Sequence, residues 1–591
     1  MSLAALAGRR LDLITAPFTL PESRVLVFRD EDAADGTLRV HTSEYERRLD
    51  DCRVLDGLAV LDAAGRVLPV ADVLPHRIAF GDAPVVERAK RDETPSGDVD
   101  AFRHFDSLRS LSTALGRSAP SLNDPVSAAS LTFDGPGALS LSGSAGTRVR
   151  LAFPDGRVEE HPLEAGIRLG VVADRSVTVS HGDHAAALAA CEARWDAWFA
   201  KCPVVRDDLQ QMAAFCWWVL GANIVSLPAL GDARGVVPSK IGYVGVWQWD
   251  AYFIAVGLRH GDPELAREQL EIAFRFPSAD GQLPDVVHEL GVLASSDDLP
   301  EGDRAKLRRT GSAVADPSAP VPLTKPPLAA WALRKVLEAE DAPDWARTQL
   351  ATIIRSQDWW FTGSDLDGDG MPEYGHPYSS GLDDSPIFDG PIPTAAPDLG
   401  AYLVRQDREI ADLLSRYEPD AATGRFLERA ARTERLLHGM WDEGLGRFLA
   451  FGDGRRIDSD TVVGLMPLLT GTLPGGIRDA LLAAVDDPAR FALEWGLPTV
   501  AASDPDFSPE RMWRGPIWIN TSALVAEGLE ASGHPERARA LREQTVRLVV
   551  HGGGPHEYYN PFTGFKAERA TTAFGWSAAL FLDLAVMLSR D

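Results

Sequence analysis

Cysteine is nearly missing from this chain: four thiols, Cys52, Cys191, Cys202 and Cys216, serve 591 residues. None stands in a CxxC pair or at zinc spacing with histidine, which argues against a disulfide scaffold and a structural zinc module. Positive charge is short as well. Lys and Arg number 59 against 86 Asp and Glu, a formal net charge of −27. No dense basic stripe offsets it, so nucleic acid or an anionic membrane surface would be repelled. Long apolar runs are also absent. The run over 578–588 is broken by Asp583 and is too short to span a bilayer, so it reads as a buried helix. Residues 1–19 carry Arg9, Arg10 and Asp12 inside their apolar stretch and lack the unbroken core of a signal peptide. The expectation is a cytoplasmic protein, without nucleic-acid or membrane partners, that acts on a neutral small molecule; its oligomeric state is not legible.

The length and a hydrophobic content of 45% allow two cores. Over 24–181 the chain is cut into short apolar alternations such as Arg24-Val25-Leu26-Val27-Phe28, separated by Asp35-Gly36, Asp134-Gly135 and Asp155-Gly156. That pattern predicts antiparallel strands and an N-terminal β-sandwich domain over 1–183. Helical spacing of Leu188, Cys191, Trp195 and Trp198 predicts a linker helix within 184–204. From 205 to 591 amphipathic helices are expected, with starts at Asp262-Pro263 and Pro343-Asp344 and near Pro326, Pro397, Asp420, Asp458, Thr521 and Pro535. Gly261-Asp262-Pro263-Glu264-Leu265-Ala266-Arg267 resembles Gly533-His534-Pro535-Glu536-Arg537-Ala538-Arg539, and each follows a tryptophan-rich segment. The fold expected is mainly α, a six-hairpin (α/α) toroid behind the β-domain.

Two acidic loops carry the functional reading. One is Ser379-Ser380-Gly381-Leu382-Asp383-Asp384-Ser385-Pro386, and the other is His556-Glu557-Tyr558-Tyr559-Asn560-Pro561, followed by Phe574-Gly575-Trp576. Cleaving a glycosidic bond needs two separated carboxyl groups, an acid for the leaving oxygen and a base or nucleophile on the opposite face of the sugar. Aromatic faces and fixed polar groups would hold the ring. Trp247, Trp249, Trp518 and Trp576 are candidates for the first, and Asp250, Lys325, Asp384, Arg514 and Asn520 for the second. Structural alternatives stand beside these: Asp383 could cap a turn, Glu557 could be a surface hairpin acid with Glu568 as its rival, and any single Trp could be core.

Taken in order, Trp247-Gln248-Trp249-Asp250, Pro326-Pro327, Ser380-Gly381-Leu382-Asp383, Trp513-Arg514-Gly515-Pro516-Ile517-Trp518, Glu557-Tyr558-Tyr559 and Phe574-Gly575-Trp576 resemble glycoside hydrolase family 63. That family comprises inverting α-glycosidases, among them processing α-glucosidases and mannosylglycerate and glucosylglycerate hydrolases. The resemblance covers about residues 205–591. It implies Asp383 as general acid, Glu557 as general base, and Trp249 with Asp250 in the subsite of the non-reducing end. An exo-acting enzyme is expected, removing a terminal α-linked glucosyl or mannosyl residue from a small glycoside or oligosaccharide; the alternative is a glucosylglycerate, mannosylglycerate or trehalose-type hydrolase. In Thr324-Lys325-Pro326-Pro327 a Lys stands where the family pattern leads one to expect Gln. Lys325 could favour an acidic leaving group or neutralise a carboxylate in the wall.

Asp365, Asp367, Asp369 and Glu373 alternate in a glycine-punctuated loop, a spacing that hard cations use, although His376 stands where an EF-hand places its Glu. By resemblance the loop holds a structural Ca²⁺, and no cofactor is expected for the chemistry. Residues 295–322, with a basic patch over 304–309, form a long polar stretch of lid or linker type. Competing classes fit less well. A terpene-type cyclase would need a third Asp after Asp383-Asp384, a lyase would centre on Tyr, His and Arg, and a non-catalytic sugar-binding protein would not need both acids.

Overall fold

The computed structural model describes residues 2–29, 36–45, 47–81, 128–231, 233–299, 301 and 319–590. Asp35 and the basic patch over 304–309 lie outside the described residues. Among the described residues the N-terminal part holds eleven strands, β1 (Val25–Arg29), β2 (Leu38–Thr42), β3 (Arg53–Leu61), β4 (Val70–Leu74), β5 (Arg77–Phe80), β6 (Ala129–Phe133), β7 (Ala138–Gly143), β8 (Arg148–Ala152), β9 (Val158–Pro162), β10 (Ile167–Val171) and β11 (Val177–His181). They form two antiparallel sheets, ordered β1-β2-β3-β8-β9 and β11-β10-β7-β6-β5-β4. Alternation sets the register: Leu131 faces Leu141, and Leu139 lies between Phe133 and Leu169, all fully buried. Phe18, bridged to β1, meets Phe133 of β6, so the sheets share a core.

Before the strands the chain is helical rather than extended, because Leu-Ala-Ala-Leu-Ala favours a helix and Ser2 caps it. This helix, α1 (Leu3–Gly8), packs on β4, on α2 (His184–Phe199) and on α3 (Asp207–Ala222).

The remaining helices are α4 (Gln248–Leu258), α5 (Pro263–Ala273), α6 (Ala329–Ala339), α7 (Pro343–Gly363), α8 (Pro397–Tyr417), α9 (Gly424–Gly439), α10 (Gly475–Val485), α11 (Ile519–Ala531), α12 (Pro535–His551) and α13 (Gly575–Arg590). Six elements pack in a closed cycle: α4 on α6, α6 on α8, α8 on a 3₁₀ helix over Val462–Thr470, that helix on α11, α11 on α13, and α13 back on α4. Composition separates inner from outer elements. Every residue of α4 is buried, whereas α9 buries Phe426, Ala430, Thr433 and Leu437 along a single stripe. The start expected near Asp458 falls at Val462, and the element is a 3₁₀ helix with Pro467 inside it. The two Gly-x-Pro-Glu segments open α5 and α12, outer elements beside α4 and α11.

Candidate active site

The inner elements turn their N-terminal ends toward one small pocket. Trp249 and Asp250 open α4, Trp518 precedes α11 and Trp576 opens α13; loops ahead of the helices supply Tyr243, Trp247, Lys325, Gly381, Asp383, Met512, Trp513, Glu557 and Phe574. The empty space is about 400 Å³. The pocket is small and partly open to solvent. Trp513 lies flat on Trp518 at 3.7 Å and 7°, and Trp249 stands edge-on to Trp576 at 5.5 Å and 85°. The Trp518 indole N–H donates to the Met512 carbonyl at 2.8 Å, which fixes its ring.

Asp383 arrives on a loop that its neighbours constrain. A 3₁₀ turn over Pro377–Ser380 ends at Gly381, whose φ of +70° requires glycine; a Cβ there would lie 2.1 Å from the Trp249 ring. The Ser380 hydroxyl accepts from the Leu382 N–H at 2.9 Å and donates to the Pro377 carbonyl at 2.6 Å. Asp384 points away from the sugar space. It accepts from the Trp513 N–H at 2.9 Å and from Arg511 at 3.0 Å, while Arg514 donates to the Asp384 carbonyl and pairs with Asp389. These two residues, expected to bind substrate, instead fasten the Asp383 loop to the Trp513 loop, and neither lines the pocket.

Glu557 lines the same pocket and is buried. Its N–H donates to the Thr571 carbonyl at 2.9 Å, and its Oε2 accepts from the Thr571 N–H at 2.9 Å. Backbone bonds between Ile517 and Tyr559 tie this loop to the Trp518 segment. Burial pushes the Glu557 carboxyl up to about 7, with the Asp383 charge adding to the shift; hydrogen bonds from Thr571 and the Tyr243 hydroxyl work against it. Glu568, the rival acid, is exposed and does not line the pocket.

A polar wall connects the two sides. Gln248 Oε1 accepts from the Lys325 N–H at 2.7 Å and from the Thr324 hydroxyl at 3.1 Å, and this positions Lys325. The Lys325 ammonium lies 2.9 Å from Asp285 and donates to the Tyr378 carbonyl. Burial lowers its affinity for the proton, but Asp285, Asp383 and Asp250 outweigh that and hold it above the ordinary lysine value. Asp250 is raised well above the usual carboxylate range by burial, which Lys325 only partly offsets. Asn520 lies in the first turn of α11, fully buried, with no hydrogen-bond partner for its side-chain amide and no place in the pocket lining. Sequence reasoning missed Tyr243 and Asp285, for a single Tyr after glycine and a single Asp after proline belong to no recognisable spacing.

The acidic loop after α7 gathers three of its four expected ligands. Carboxylate oxygens of Asp365, Asp367 and Glu373 lie within 4.8 Å of one another. Asp369 stands outside the cluster; its Oδ1 accepts from the Met371 N–H at 2.7 Å. Asp365 Oδ1 is buried without a hydrogen-bond partner, and burial pushes Glu373 up to about 8. Three carboxylates converging on one point, one oxygen unsatisfied, suit a hard cation with oxygen ligands.

Paired carboxyl groups in a small tryptophan-walled pocket define the class: a glycoside hydrolase. Residues 243–577 match the family model described as the mannosylglycerate hydrolase MGH1-like glycoside hydrolase domain. The chain belongs to that family, within glycoside hydrolase family 63. It is 29% identical to a mannosylglycerate hydrolase of Thermus thermophilus, over 59% of this chain and 97% of the relative, and 26% identical to a glucosylglycerate hydrolase of Mycolicibacterium hassiacum, over 63% and 97%. A crystal structure of a GH63 mannosylglycerate hydrolase from Thermus thermophilus with Tris and D-glycerate superposes with a TM-score of 0.52 at 26% identity, covering 62% of this chain and 98% of that one.

Proposed function

We propose that this protein is an exo-acting, inverting α-glycosidase that removes one terminal glucosyl or mannosyl residue from a small glycoside, with hexosylglycerates as the first substrate class to test. The observation that carries the reading is that Asp383 and Glu557, from loops far apart in sequence, line one small pocket walled by tryptophans. Relatives named mannosylglycerate and glucosylglycerate hydrolases support the substrate class. Asp383 protonates the glycosidic oxygen as the bond to the anomeric carbon breaks. Glu557 takes the proton of a water that attacks from the opposite face, so the anomeric configuration inverts. A carboxyl poised at about 7 suits a base at neutral pH, and the Tyr243 hydrogen bond favours its ionised form. Trp249, Trp518 and Trp576 offer apolar faces to the ring, with Asp250 and Lys325 as its polar contacts.

In this reading the closed cycle of inner elements is the inner ring of a six-hairpin (α/α) toroid, and the two sheets form a β-sandwich. Asp365, Asp367 and Glu373 hold a structural Ca²⁺ that fastens the loop after α7 and takes no part in bond cleavage. A reducing cytoplasm is supported by four buried, unpaired thiols. Release of hexose from glucosylglycerate, mannosylglycerate, kojibiose, nigerose and trehalose tests the substrate class, and NMR of the first-formed anomer tests the stereochemistry. An α-glycoside that yields α-product first overturns the inverting assignment.

A further inference from the structure

The family match begins at Tyr243, so the β-domain lies outside it. One loop of that domain nevertheless reaches the wall of the pocket. After β2 the Ser43 hydroxyl donates to the Lys240 carbonyl at 2.8 Å, and the Tyr45 N–H donates to Glu289 Oε1 at 3.0 Å; Arg24 approaches the other Glu289 oxygen at 3.4 Å. Held there, the Tyr45 ring lies flat on His288 at 3.8 Å and 7° and leans on Trp247 at 6.1 Å and 46°. Trp247 stands against Tyr243 at 5.8 Å and 70°, and Tyr243 lines the same pocket as Glu557, where its hydroxyl favours the ionised carboxylate. Gly245 makes room for this stack: a Cβ there would lie 3.1 Å from the Trp247 ring and 3.3 Å from the Tyr45 ring. A continuous line of rings thus runs from the β-domain to the candidate base.

We propose that Tyr45 is a positioning residue for the reaction: by clamping Trp247 it holds Tyr243 against Glu557, so that the β-domain completes the active site. The proposal rests on Glu557 as the base. The competing role is purely structural, since Tyr45 also packs with Val286, Leu293, Leu299 and Leu323 in a small satellite core. A core residue acts on the amount of folded protein, whereas a clamp acts on each folded molecule.

Tyr45→Leu keeps apolar volume in the satellite core but removes the flat ring, and Tyr45→Phe keeps the ring. In the full chain Tyr45→Leu is expected to lower kcat/KM about 10- to 100-fold, the range for misplacing a catalytic group by a fraction of an ångström to an ångström. It should also move the acid limb of the pH profile upward, because the Tyr243 bond that favours ionised Glu557 loosens. Tyr45→Phe should restore both values. Wild-type kcat, KM and acid limb in folded Tyr45→Leu overturn the proposal, whatever its melting temperature. If Tyr45→Leu does not fold, Glu289→Ala, which releases the loop without touching the core, must show the same upward shift; an unshifted limb overturns the clamp equally. Glu557→Gln is measured alongside. If that variant is active the assigned base is wrong, and the KM of Tyr45→Leu with rescue by Phe then decides the clamp alone.

Discussion

Buried carboxyl groups occur at both ends of the helical cycle, and what faces them differs. At the C-terminal ends of the inner elements Asp583 lies 2.9 Å from Arg259 and 2.7 Å from His260, and Glu527 pairs with Arg405 and Lys335. Burial pushes both acids up, but their cations overcompensate and both end below the ordinary range. At the pocket end Glu557 faces rings and backbone amides, and Asp250 shares one lysine with Asp285. There burial wins. Equal burial thus yields struts at one end and groups able to exchange protons near neutrality at the other, and the placement of cations decides which.

The largest expected effect would break the comparison at the pocket. Glu557→Gln should lose about 10²- to 10⁴-fold in kcat/KM, the usual contribution of a general base. Its melting temperature at pH 8 should not fall. A carboxyl raised to about 7 disfavours the folded state once it ionises, so that removing the charge relieves the chain. Asp383→Asn should be as slow on natural glycosides yet recover partly on glycosyl fluorides, which depart without a proton. In the wild-type enzyme kcat/KM should fall about tenfold per pH unit below roughly 7, because the base is lost as it protonates. A flat profile down to pH 5 would remove Glu557 from that role.

The opposite result is expected at the base of the cycle. Asp583→Asn removes the close partner of buried Arg259, leaving Glu338 at 3.9 Å, and should cost about 3 kcal/mol of stability, the low end for breaking a buried pair. Activity per folded molecule should stay within about twofold, as expected for a site without contact to the pocket. Denaturant titration and active-site-normalised kcat measure the two together. Loss of kcat at unchanged stability would show that the two ends do not divide as described.

The chemistry-bearing segments were legible where several residues of one kind stand together. Trp247-Gln248-Trp249-Asp250 brings Trp247, Trp249 and Asp250 to the pocket, Ser380-Gly381-Leu382-Asp383 brings Gly381 and Asp383, and the need for Gly381 follows from the Trp249 ring beside it. Single residues brought in from afar were not legible. Tyr243, Asp285 and Tyr45 owe their positions to tertiary packing, which leaves no spacing in the sequence. Asp384 and Arg514 looked like substrate groups because they flank the motifs, yet their charges are consumed in tying two loops together. Asp369 follows the alternation of a cation loop, yet it lies outside the cluster of Asp365, Asp367 and Glu373.

A third group of acids stands apart from both ends. Asp365, Asp367 and Glu373 converge without a lysine or arginine among them. With Glu373 raised to about 8, the metal-free loop costs stability as pH rises through that value, because the folded state binds the proton more tightly than the unfolded one. Ca²⁺ competes with that proton. At a hundredfold excess over Kd it should stabilise by about 2.7 kcal/mol. The gain should be largest at pH 9 and shrink toward pH 6, as read from melting curves with Ca²⁺ against chelator. Coincident curves at pH 9 would reduce the loop to an acidic turn.

The smallest effect sharpens the one mixed case, the cation at the pocket end. Lys325 contacts Asp285 on one side and lines the sugar space on the other, so it could act as a strut, like Arg259, or as a substrate contact. The two roles differ in what Lys325→Gln does to a ratio. As a strut, its loss leaves Asp285 unpaired and slows every substrate alike, and the ratio of kcat/KM between a hexosylglycerate and a neutral hexoside stays constant. As a contact for the leaving group, its loss removes a hydrogen bond to a carboxylate from one substrate only. That bond is worth about 1.5 kcal/mol at the low end, so the ratio should fall about tenfold while the neutral hexoside changes little. A tenfold fall is the expected outcome, since the ammonium keeps one proton beyond those directed at Asp285 and Tyr378. An unchanged ratio would assign Lys325 to the wall and leave the aglycone to be recognised elsewhere.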